Sequence, residues 1–165
     1  MKELTRETTL PVQEGTELPG KRILFVCTGN TCRSPMCAAL FNDRYAGLTA
    51  QAESAGLAAD GSPITPEAAE ALREAGIRSF GRNDYRSHRS RTVTQTDVER
   101  ADRIVGVTAS HAFRLMLLFP QAASKITSLP LEIADPYGGS LDEYRQCLKQ
   151  IDEALRNLFE EGDAV

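Results

Sequence analysis

Cys27 and Arg33 enclose five residues in the segment CTGNTCR, a spacing that suits a loop gripping an anion beside a nucleophile. Where a loop leaves a strand and opens a helix, successive backbone N–H groups turn inward and the helix dipole adds positive charge at the same point. A tetrahedral oxyanion such as phosphate fits that bowl. The candidate contacts run through Thr28, Gly29, Asn30, Thr31, Cys32, Arg33 and Ser34. Gly29 is free to take the positive φ of a tight turn, and Arg33 offers a planar fork to two oxygens. Cys27 lies at the floor, where the N–H groups, the dipole and the arginine all favour the thiolate, the reactive form of the side chain.

Other chemistries compete for the same residues. Cys27, Cys32 and Cys37 step by five residues, wider than zinc knuckles, and both histidines lie far along the chain. No metal and no other cofactor is expected. A redox pair of Cys27 and Cys32 is kept as a side reaction. Cys37 and Cys147 fall on apolar helix faces and read as small core residues.

The bowl works only if a strand precedes it and a helix follows. KRILFVC is a short apolar, β-rich run, and Ser34-Pro35 can start a helix that carries Met36, Leu40, Phe41, Tyr45 and Leu48 and ends near Gly47. AQAESAG is a weaker second strand. Thr65 caps a helix with Pro66 in its first turn and Gly76 at its stop. DRIVGVT, the helix SHAFRLMLLF halted by Pro120, and the strand SKITSL follow. Leu141, Tyr144, Leu148, Ile151, Leu155 and Leu158 draw one stripe on a last amphipathic helix. Alternating strands and helices predict an α/β fold: a doubly wound, four-stranded parallel sheet with helices on both faces. Ligands in such folds sit beyond the carboxyl ends of the strands, where CTGNTCRS lies.

A chain of 165 residues accommodates one domain, expected over 21–165, after an extension of uncertain order at 1–20 that carries Pro11, Gly15, Pro19 and Gly20. Three clustered cysteines and one distant one do not resemble a disulfide framework, so a reducing, cytoplasmic setting is expected. No stretch is apolar enough to span a membrane. A net charge of -4 argues against nucleic acid or anionic lipid as a partner. One local surplus, Arg78, Arg82, Arg86, Arg89 and Arg91 against Asp84, is either a solvated loop or a field that attracts an anionic substrate.

Cys27 through Pro35 resembles the phosphate loop of the low-molecular-weight protein tyrosine phosphatases. The likeness extends over about residues 21–160, including SHRSR at 87–91 and the DP pair at 135 and 136. It implies a phosphocysteine intermediate at Cys27, phosphoryl oxygens held by Arg33, and an acid-base role for Asp135, acting on phosphorylated proteins. From local sequence alone, Asp135-Pro136 reads as a turn before a helix. The resemblance also implies a polar network of Asn30, Ser34, Ser54 and His88 that holds the loop, with the Ser34 hydroxyl bonding the thiolate.

Tyrosine-directed relatives usually carry a bulky aliphatic residue where this chain has Thr31, and two adjacent aromatics after the DP pair. Here DPYGGS supplies Tyr137 and then Gly138. The combination is similar to the bacterial protein arginine phosphatase branch, whose loop reads CTGNTCRS. The resemblance therefore implies phosphoarginine as the preferred substrate, with Thr31 and Tyr137 setting specificity and phosphotyrosine as the alternative. Hydroxyl and carboxylate oxygens at Thr31 and Asp135 can accept guanidinium N–H groups, which an isoleucine cannot. Thioredoxin-coupled arsenate reductases have a similar loop but need two further cysteines in mid-chain, and residues 38–146 contain none. A redox-sensing or phosphate-binding module that keeps the bowl without turnover is the non-enzyme alternative.

Overall fold

Apolar side chains on both sides of RILFVC require a strand covered on both faces. In the computed structural model, which describes residues 22–47 and 49–161, this strand (β1, Arg22–Cys27) lies inside a four-stranded sheet. It pairs in parallel with β2 (Gln51–Gly56) on one side and with β3 (Arg103–Gly106) on the other, and β3 pairs in parallel with β4 (Ile126–Ser128). The order is β2-β1-β3-β4, the expected doubly wound sheet. The extension at 1–20 and Leu48, assigned above to the first helix, lie outside the described residues.

Alternation along β1 divides the core. Ile23 and Phe25 pack with Met36, Leu40 and Phe41 of α1 (Arg33–Arg44) and with Ile151 and Leu155 of α5 (Leu141–Arg156). Leu24 and Val26 face the other way, against Val98 of α3 (Gln95–Arg100) and Ala112 and Leu115 of α4 (Ala109–Leu118). Each such full burial contributes about 1.5–3 kcal/mol. Cys27, two residues after Phe25, falls on the α1 side of the sheet. Cys37 and Cys147 are buried in that same cluster, as read from the sequence.

The expected punctuation of α2 (Pro66–Glu74) is present: the Thr65 side chain accepts from the Ala68 N–H, Pro66 is the first helical residue, and Gly76 turns the chain at φ +86. The short α3 is not signalled by apolar periodicity, since only Asp97 and Val98 of its six residues are buried. A capping box instead holds it, with Thr94 accepting from the Asp97 N–H and the Asp97 carboxylate accepting from Thr94 N–H. Among the described residues, no helix is long and apolar enough to cross a membrane.

Candidate active site

The loop after β1 leads directly into α1, whose N-cap, Cys32, makes no side-chain cap bond. The first N–H groups of a helix have no partner inside it, and here they remain available to a ligand. The backbone N–H groups of Gly29, Thr31 and Cys32 have no protein acceptor among the described residues. The left-handed residue of the loop is Asn30, at φ +62, rather than Gly29. Asparagine tolerates that conformation when its side chain is bonded locally, and every polar group of Asn30 is.

Its side chain organises the nucleophile. Asn30 Nδ2 donates to Ser34 Oγ at 2.8 Å and to Ser54 Oγ at 3.0 Å, while Oδ1 accepts the Arg91 N–H at 3.0 Å. Ser34 Oγ thus accepts from Asn30, and its own proton can go to Cys27 Sγ, 3.0 Å away, or to the Ala55 carbonyl at 3.5 Å; against a thiolate, the sulfur can only accept. The Asn30 N–H is a second donor to that sulfur, at 3.3 Å. His88 Nε2 donates to the Asn30 carbonyl at 2.8 Å, and burial pushes its pKa below the ordinary value. Asn30, Ser34, Ser54 and His88 therefore meet in one network behind the sulfur.

The seven residues from Cys27 to Arg33 line, with Asp135 and Tyr137, a single cavity of about 430 Å³. Arg33 is 8 % exposed and donates from Nη1 to the Ile133 carbonyl at 3.1 Å, while its Nη2 lies 3.7 Å from Asp135 Oδ2. Asp135 is half exposed, and its Oδ1 accepts the Tyr137 N–H at 3.1 Å. Tyr137 stands 69 % exposed at the rim. Gly138 follows at φ +82, within a turn closed by the Gly139 N–H to the Pro136 carbonyl at 2.7 Å. A second aromatic at 138 would be strained there, which gives the single-ring rim a backbone cause.

Three residues near the site were not assigned to it from the sequence. Asp60 lines the cavity from the segment after β2; the Ser62 side chain, and then the Ser62 N–H that its carboxylate accepts at 3.0 Å, hold its pKa below the usual range. Tyr144 on α5 places its hydroxyl 3.2 Å from Cys32 Sγ; burial, then that contact, push its pKa up. His111 at the start of α4 reaches Thr28. A histidine three residues after a threonine at the end of a strand, TASH, is the local pattern that could have flagged the last of these. In the arginine-rich stretch Arg91 clamps Asp97 at 2.8 Å and Arg78 stacks on Phe80, and none of the five arginines lines the cavity.

Close packing behind the bowl yields a first prediction. A Cβ at Gly56, the β2 residue paired with Cys27, would stand 2.6 Å from the Thr28 carbonyl oxygen and 3.0 Å from Asn30 Cβ. Gly56→Ala is expected to cost about 1–3 kcal/mol in urea unfolding, the usual range for overpacking. Its kcat should fall as well, because the loop itself must move.

A cysteine at the floor of an amide-lined bowl, with arginine and carboxyl facing it on a doubly wound sheet, defines a cysteine-dependent phosphatase. The chain belongs to the low molecular weight phosphotyrosine protein phosphatase family, whose profile matches residues 22–164. It is 36% identical over 148 residues to a protein-arginine-phosphatase of Geobacillus stearothermophilus, covering 84% of this chain and 94% of that one. A low molecular weight protein-tyrosine-phosphatase of Streptomyces coelicolor is 34% identical over 154 residues, covering 84% and 91%. The solved structure of the YwlE arginine phosphatase from Geobacillus stearothermophilus superposes with a TM-score of 0.76 at 34% identity, covering 86% of this chain and 92% of that one.

Proposed function

We propose that this chain dephosphorylates phosphoarginine side chains of proteins through a phosphocysteine at Cys27. The thiolate attacks phosphorus in line with the P–N bond, the bowl's N–H groups and Arg33 hold the three equatorial oxygens, and Asp135 protonates the departing guanidine nitrogen. Asp135, now a carboxylate, then takes a proton from water as its oxygen attacks phosphorus. The S–P bond breaks, releasing inorganic phosphate and restoring the thiolate. Each role has one group in the cavity, and the observation carrying the reading is the pair of polar contacts at Cys27 Sγ, the Ser34 hydroxyl at 3.0 Å and the donating Asn30 N–H at 3.3 Å. A reducing cytoplasm suits a mechanism that depends on a free thiolate.

The substrate choice rests on the walls. Thr31 presents a hydroxyl, Asp60 and Asp135 present carboxylates, and among the described residues Tyr137 alone puts an aromatic ring at the rim. A phosphoguanidinium brings several N–H donors, and leaving them unpaired against an apolar wall would be costly. The similarity to arginine phosphatases points the same way. Phosphotyrosine is the second reading, favoured by the exposed Tyr137 ring, which could stack on a phenol.

Side-by-side kcat/KM on one peptide carrying either modification decides between them. Wild-type protein is expected to favour phosphoarginine, and Thr31→Ile should move the ratio toward phosphotyrosine by about tenfold or more. A preference for phosphotyrosine in the wild type would reject the substrate assignment. An unchanged ratio in Thr31→Ile would remove Thr31 from it.

A further inference from the structure

His111 takes no part in the steps above, yet its ring is fixed at both nitrogens. It is 5 % exposed, at the third position of α4. The Thr108 backbone N–H, which can only donate, points at Nδ1 from 3.1 Å. In the neutral ring the proton must then sit on Nε2. Nε2 lies 3.1 Å from Thr28 Oγ1 and donates to it. The charged groups that act on the ring are Arg33, Asp135 and Arg114; burial and then Arg33 push its pKa down to about 4, so the neutral tautomer is the one present.

Capping α4 accounts for half of this arrangement. The cap needs only an acceptor at Nδ1, which closes a capping box with Thr108. The other nitrogen spans 83 positions to the residue that follows the nucleophile, and no cap requires that. Thr28 is exposed and lines the cavity of Cys27 and Arg33. A free threonine hydroxyl there would sample several rotamers. Tied to Nε2–H it keeps one, and accepting that bond strengthens it as a donor.

We infer that His111 is a positioning residue: its Nε2–H fixes Thr28 Oγ1 so that the threonine hydroxyl donates to an oxygen of the bound phosphoryl group. The inference rests on the bowl being the phosphoryl site and is indifferent to which phosphorylated side chain enters it. The bond adds a side-chain donor to the backbone amides, held from the start of α4.

Two substitutions separate the cap from the relay. His111→Asn retains an acceptor near Nδ1 but cannot reach Thr28, whereas His111→Gln supplies a capping acceptor in its amide oxygen and can extend its amide N–H to Thr28. With a small aryl phosphate as substrate and inorganic phosphate as inhibitor, His111→Asn is expected to raise KM and the inhibition constant about tenfold, the size of one hydrogen bond to a charged group. Its melting temperature should stay near wild type. His111→Gln should also melt near wild type but recover part of the affinity. Thr28→Val should match His111→Asn, and the double variant should be no worse than Thr28→Val alone. The inference is overturned if His111→Asn binds phosphate within twofold of wild type, or if the two losses multiply in the double variant. Failure of the bowl itself would be visible separately, as turnover or phosphate binding that does not depend on Cys27 and Arg33.

Discussion

Cys27→Ser is expected to lose at least about 10³-fold in turnover while keeping its affinity for inorganic phosphate. The two halves of that result have different physical sources. In the proposed mechanism, binding comes from the loop N–H groups and from Arg33, which contacts the Ile133 carbonyl and Asp135, and none of these is altered. Attack comes from sulfur as an anion. Ser34 and the Asn30 N–H can stabilise a thiolate, but both are donors to it, and a serine hydroxyl at 27 would need a base to take its proton. Removing the negative sulfur also removes its repulsion of a phosphate dianion, so binding should hold or tighten. Single-turnover kinetics with isothermal titration of phosphate checks both. Substantial turnover by the serine variant in metal-depleted buffer would refute the phosphocysteine route, and a loss of phosphate affinity would show that the sulfur, not the amides, holds the anion.

The pairing of Cys27 with Arg33 in one bowl was legible because it is local: six positions on a strand-turn-helix unit bring them together whatever the rest of the chain does. The sheet was legible for a similar reason, since the fully apolar β1 and the Thr65-Pro66 cap each reflect short-range rules. Within the loop the left-handed residue fell on Asn30 and not on the glycine beside it. A sequence lists what each residue tolerates; the bonds to Ser34, Ser54 and the Arg91 N–H that make asparagine the better choice come from three separate segments. Tyr144 meets Cys32 across 112 positions and His111 meets Thr28 across 83; TASH marks the histidine as a cap, but nothing local names either distant partner. Asp135 is the intermediate case. Its own neighbourhood reads as a turn, which it also is, since its Oδ1 takes the Tyr137 N–H. Only the family likeness singled it out, and the fold then brought its other oxygen to 3.7 Å from Arg33.

That double duty makes Asp135→Asn the sharper test of chemistry. The amide oxygen can still accept the Tyr137 N–H, so the turn and the rim should survive, and what is lost is a proton that can be given and taken back. General acid-base groups typically contribute about 10²–10⁴-fold, and the loss should depend on the leaving group. A guanidine cannot depart from phosphorus without a proton, so with a phosphoarginine peptide the first step itself slows and no burst of product precedes the steady state. An aryl phosphate with an acidic phenol needs little help to leave. Its first step should remain fast while the second, which needs Asp135 to deprotonate water, becomes limiting. Phosphocysteine should then accumulate on Cys27 and a burst of phenol equal to the enzyme concentration should appear in rapid-mixing traces. If both substrates slow equally and neither shows a burst, Asp135 does not transfer the proton in either step, and the carboxylate's task would reduce to orienting Arg33.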